Sequence, residues 1–68
     1  MNVHNRIKLI REEREIPQKD MAAALGVSRQ TMTAIENMKY NPSLELTLKI
    51  SKFFSLPVEE IFELIEEG

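Results

Sequence analysis

Residues 18–37 read QKDMAAALGVSRQTMTAIEN, and the spacing inside this stretch decides how the rest of the chain is read. It divides into two short helical segments about Gly26. Met21 falls on the inward side of the first segment, and Ala22 beside it is small enough for a second helix to cross at close range. The chain must turn sharply between the two, and Gly26 reaches φ > 0 there without a steric clash. Val27 follows as an apolar plug under the turn. Ser28 carries the side chain of an N-cap, and Met32 and Ile35 recur at the spacing of one buried helical face. Single matches of this kind are common, whereas so many together in one short window make a helix-turn-helix pattern.

The totals bound what such a motif can belong to. The chain has 68 residues, enough for one domain, 1–68, and too few for a second. No cysteine is present, which excludes a disulfide framework, a thiolate metal site and a cysteine nucleophile. Apolar runs are only a few residues long, so no segment spans a membrane, and MNVHNRIK lacks the apolar stretch of a signal peptide. A cytoplasmic protein is expected by default. The net charge of −2 is unevenly divided: residues 1–41 hold seven Lys/Arg against five acids, and residues 42–68 hold two lysines against six glutamates. Phosphate binding needs a local basic surface rather than a basic total. The division suits a DNA-facing first half and an acidic end held away from the duplex.

Along the chain, NRIKLIREERE (residues 5–15) reads as a first helix with Asn5 as its N-cap and Ile7 and Ile10 turned inward. Pro17 suits the start of a second helix, about 17–25, because its missing N–H would be unpaired there anyway. A third helix runs from about Arg29 to Asn37, with Arg29, Gln30 and Thr33 outward and Ala34 one step further on. Pro42 closes a connector, and Ser43 caps a fourth helix over about 44–54. That helix holds Leu44, Leu46, Leu48, Ile50, Phe53 and Phe54, too many for one stripe, so it is buried on two sides or meets a partner chain. After Pro57, the spacing of Val58, Ile61, Phe62 and Ile65 predicts an amphipathic fifth helix. The alternative at the ends is a two-stranded sheet pairing Met1-Asn2-Val3 with Glu63-Leu64-Ile65. The fold class is all-α, five helices, with that short sheet as the open option.

The segments IKLIREEREIPQKDMA, LGVSRQTMTAIE, NPSLELTLKI and LPVEEIF together resemble the Cro/repressor-type family, also called xenobiotic-response-element or lambda-repressor-like. NMKYNPSL is similar to the corresponding stretch of a subgroup of small stand-alone regulators, in which terminal strands form a small sheet. The resemblance implies a five-helix domain that binds double-stranded DNA. It also implies a partly buried ion pair between Arg11 and Glu36 across the first and third helices. At the head of the second helix, it implies that Gln18 contacts backbone phosphate and supports the base-reading Gln. Met38 departs from the family pattern, which has Gly after Asn at this helix end. A Met at φ > 0 is strained, and the alternative is that the helix runs on.

Arg29 and Gln30 open the recognition helix, the part that reaches base edges. Arg donates two hydrogen bonds to guanine, and Gln pairs with adenine, each pair contributing roughly 1–3 kcal/mol of discrimination. Thr33 meets either a thymine methyl or a phosphate, and Thr31 does the same from the flank. Gln18, Ser28, Asn37, Lys39 and Tyr40 are the phosphate candidates, with Thr31 beside them. Such contacts set register and carry no sequence information by themselves. Met21, Met32 and Met38 read as core filler. His4 lacks companion ligands, and no metal or other cofactor is expected.

The function this reading predicts is a homodimeric, sequence-specific transcriptional regulator, a repressor acting on an inverted-repeat operator. One recognition helix covers few base pairs; two copies about a two-fold axis read half-sites about 34 Å apart. Phe53, Phe54, Ile61, Phe62, Leu64 and Ile65 form the expected dimer surface, the alternative being that they serve only as core within the chain. An antitoxin or a controller of a restriction system would use the same contacts. The alternative from another class is a protein-interaction module that keeps the fold and reads no bases. No catalytic constellation is present, so an enzyme is not expected, and no small-molecule ligand is evident.

Overall fold

In the computed structural model, which describes residues 2–66, the chain begins with a strand, and that strand settles the choice left open at the ends. The order is β1 (Asn2–Asn5), α1 (Ile7–Glu13), α2 (Gln18–Leu25), α3 (Arg29–Glu36), α4 (Leu44–Phe54), α5 (Val58–Ile61) and β2 (Phe62–Ile65). β1 and β2 pair antiparallel in the register Asn2↔Ile65, Val3↔Leu64, His4↔Glu63 and Asn5↔Phe62. Met1, which the open option placed in this sheet, lies outside the described residues, as do Glu67 and Gly68.

The sheet shortens both helices next to it. α5 is a single turn, and Phe62 leaves it with φ −116° and ψ 147°, where the apolar spacing alone predicted a helix through Ile65. α1 starts at Ile7 rather than Asn5 because Asn5 is taken up by β1. The Asn5 side chain nevertheless does the work of a cap, its Oδ1 accepting from the Ile7 N–H at 3.1 Å. Arg6 bridges the junction: its N–H donates to the Ile61 carbonyl at 2.8 Å, and its guanidinium pairs with Glu63 at 2.8 Å.

The helices meet in one core. Ile7 of α1, Met21, Ala22 and Leu25 of α2, and Met32 and Ile35 of α3 pack with Leu46, Ile50 and Phe54 of α4 and Ile61 of α5. α4 resolves its excess of apolar residues by facing them two ways. Leu46, Ile50 and Phe54 recur every four residues on the buried side, whereas Leu44 and Leu48 are 75% and 55% exposed. Two further expectations are corrected by the packing. Met38 is not core filler but 43% exposed. Phe54 and Ile61, expected at a dimer surface, are buried in the chain's own core because both sit on the inward stripe of their helices.

Candidate nucleic-acid interface

α2 and α3 are held at a fixed angle by the turn between them. Gly26 takes φ 74°, its N–H bonding to the Ala23 carbonyl and the Val27 N–H to the Ala22 carbonyl. Ser28 then caps α3, its Oγ accepting from the Thr31 N–H at 3.0 Å. Met32, Ile35 and Glu36 are buried, which fixes the rotation of α3 about its axis. Arg29, Gln30, Thr33 and, just past the end, Asn37 are exposed at i, i+1, i+4 and i+8, one continuous outward stripe. Ala34 is half-buried at the side.

Behind the stripe lies a polar network that runs through three helices. Arg11 Nε donates to Glu36 Oε2 at 2.9 Å, and its second terminal nitrogen donates to Glu36 Oε1 at 3.3 Å. Both side chains are nearly covered, with 11% and 3% of their surface exposed, so this is a buried charge pair with two bonds between the partners. Arg11 also donates to the Ile16 carbonyl at 3.0 Å. Gln18 Nε2 reaches Glu36 Oε1 at 3.2 Å and Thr33 Oγ1 at 3.1 Å. The Thr33 hydroxyl in turn donates to the Arg29 carbonyl at 3.0 Å. Gln18 is thus tied to the back of the outward stripe, and both hydrogens of its carboxamide are engaged inside the protein. What position 18 can present to a phosphate is backbone N–H at the head of α2, where the first groups have no partner within the helix.

The exit of α3 is shaped for exposure. Met38 occupies φ 60°, so the helix ends at Glu36 and does not run on. The Met38 N–H bonds to the Ile35 carbonyl and the Lys39 N–H to the Ala34 carbonyl at 2.8 Å. At the ends of α1, α2 and α4 the residue after the left-handed position is apolar (Ile16, Val27, Leu56) and packs on the core. At the end of α3 that place is taken by Lys39, which stays exposed beside a 47% exposed Tyr40.

Sequence reasoning missed the strand residues that border this loop. Asn5 Nδ2 donates to the Ile35 carbonyl at 2.9 Å and so ties β1 to the last turn of α3. Asn2, His4, Lys39 and Asn41 line a polar hollow of about 260 Å³ between β1 and the loop. No local signal marks them, since the contact joins segments more than thirty residues apart. Among the described residues there is no group of three or more His, Cys, Asp or Glu side chains placed to hold a metal ion. No described helix is long and apolar enough to cross a membrane.

Sequence and fold both have counterparts among known proteins. A family profile described as helix-turn-helix matches residues 7–61. An uncharacterized HTH-type transcriptional regulator of Methanocaldococcus jannaschii is 52% identical over 58 residues, covering 85% of this chain and 88% of that one. The cryptic phage CTXphi transcriptional repressor RstR of Vibrio cholerae is 33% identical over 57 residues, covering 84% of this chain and 51% of the repressor. Among solved structures, a protein from Bacteroides fragilis superposes with a TM-score of 0.81 at 23% identity, covering 90% of this chain and 98% of that one. At that identity the likeness is one of fold.

Proposed function

The chain belongs to the Cro/repressor-type helix-turn-helix family, whose members are DNA-binding regulators and not enzymes, and from that premise we propose that it is a homodimeric repressor of an inverted-repeat operator. The observation that carries the reading is the outward stripe of α3. Arg29, Gln30 and Thr33 are exposed together on a helix whose opposite side is locked by the core and by Glu36. Arg29 and Gln30 read base edges in the major groove. Thr31, Asn37, Lys39 and Tyr40, with the backbone N–H groups at Gln18 and Ser28, hold the phosphates on either side. The Ser28 and Thr31 hydroxyls share one bond at 3.0 Å, which leaves one hydrogen of the pair for a phosphate oxygen. A repressor name among the relatives supports the direction of regulation.

Dimerisation is assigned to the sheet end. Val3, Val58, Phe62 and Leu64 line an apolar groove of about 450 Å³, and Leu64 is 66% exposed. The reading requires a second copy packed there about a two-fold axis to bring two copies of α3 to one face of the duplex. The site of action is the cytoplasm.

The experiment is selection of bound duplexes from a random pool, run with wild type and with the Arg29→Ala/Gln30→Ala double variant. Wild type should enrich an inverted repeat with half-sites one helical turn apart, and the double variant should enrich none. Enrichment of nothing by folded wild-type protein overturns the reading and leaves a protein-interaction module in its place.

A further inference from the structure

We infer that Thr33 is a specificity residue that reads the C5 methyl group of a thymine, because its hydroxyl is already committed inside the protein. The inference rests on the DNA-binding reading above and adds which chemical group of the operator this residue recognises.

The hydrogen-bond directions around Thr33 are set by chemistry. A backbone carbonyl only accepts, so the contact of Oγ1 with the Arg29 carbonyl at 3.0 Å takes the hydroxyl's one hydrogen. The second contact, with the Gln18 carboxamide at 3.1 Å, depends on which end of the amide faces inward. Glu36 decides that. A carboxylate accepts only, and the same amide atom stands 3.2 Å from Glu36 Oε1, so it must be the nitrogen. Glu36 is itself held by Arg11 through two bonds. Thr33 Oγ1 therefore donates once and accepts once within the protein.

Phosphate oxygens, guanine N7 and O6, adenine N7 and thymine O4 are all acceptors. Thr33 has no hydrogen left to give any of them. Yet it is exposed, and it lies one turn along from Arg29 on the same stripe. Apart from one acceptor lone pair, its remaining contact group is the γ-methyl. In the major groove the apolar feature a methyl can meet is the C5 methyl of thymine. Thr31, two residues back, differs: its hydroxyl shares one bond with the Ser28 hydroxyl at 3.0 Å, so one hydrogen of that pair is left over, which fits a phosphate. The two threonines of α3 thus divide between backbone and base.

The test uses the operator recovered by selection, with each thymine of one half-site replaced singly by deoxyuridine, which removes only the methyl. Wild type should lose about four-fold in affinity at one position, the factor expected for one buried methyl group. Thr33→Val, which keeps the methyl, should retain that thymine preference. Thr33→Ser, which keeps the hydroxyl, should bind thymine and deoxyuridine equally there while discriminating normally at the bases read by Arg29 and Gln30. Indifference of wild type to every replacement, or a thymine preference that survives in Thr33→Ser, overturns the inference. Loss of preference for an adenine or cytosine in Thr33→Val also overturns it, in favour of the remaining lone pair accepting from a base amino group. A wild-type protein that enriches no duplex fails at the earlier step and overturns the DNA-binding reading with it.

Discussion

Each of α1 to α4 is followed by a residue in the left-handed region: Glu15 at φ 56°, Gly26 at φ 74°, Met38 at φ 60° and Ser55 at φ 57°. In every case that residue's N–H bonds to the carbonyl three back, and the next N–H bonds to the carbonyl five back. This is the Schellman ending, which normally carries glycine at the left-handed position. At Gly26 a methyl would meet nothing within 4 Å, so Gly26→Ala tests the backbone alone. It should lower unfolding stability by about 1 kcal/mol, read from denaturant midpoints. Ser55 offers the converse. A non-glycine residue there costs about 1–2 kcal/mol of strain, and glycine restores some 0.5–1 kcal/mol of unfolded-state entropy, so Ser55→Gly should stabilise by roughly 0.5–1 kcal/mol. Only Gly26 announces its conformation in the sequence. Glu15 and Ser55 are marked indirectly by Pro17 and Pro57 two residues later, and Met38 is marked only by the family pattern, which has Gly at that place.

At the level of elements, the serine caps are the plainest local signals. Ser28 and Ser43 each accept from an N–H three residues on, at 3.0 and 3.1 Å. Ser28→Ala and Ser43→Ala should each lower stability by about 1 kcal/mol. Only Ser28→Ala should also weaken operator binding measured under conditions where both variants remain folded, because Ser43 opens a helix away from the base-reading stripe. α2, α3 and α4 were legible because cap, stop and apolar period agree within each segment. β2 was not. Phe62 and Ile65 continue the helical spacing of Val58 and Ile61, and the reason they extend instead is β1, nearly sixty residues earlier in the chain. Pairing partners that distant leave no trace in a local period.

Across the whole molecule, the Arg11–Glu36 pair joins the first helix to the recognition helix and is the anchor of the network that reaches Thr33. Removing one partner strands a buried charge, so Glu36→Ala should cost about 3–5 kcal/mol of stability. Replacing both, as Arg11→Met with Glu36→Leu, should recover most of that loss, since no unpaired charge remains. The two variants separate stability from function. If the network also orients Gln18 and Thr33, the double replacement should fold well and still bind its operator less selectively, as measured by competition with mismatched duplexes.

By itself, the sequence determined the helix-turn-helix, its caps, its glycine turn and the identity of the residues on its outward stripe. Each of these depends on side chains within a few positions of one another, where steric and hydrogen-bond preferences act locally. Tertiary structure alone decided that the ends form a sheet, that Phe54 and Ile61 belong to the core, and that Met38 stands exposed in a strained turn. It alone decided, too, that the carboxamide of Gln18 faces inward. The reason is common to all four: each is set by a partner brought close by folding, and the free energy of that contact overrides what the local stretch would do alone.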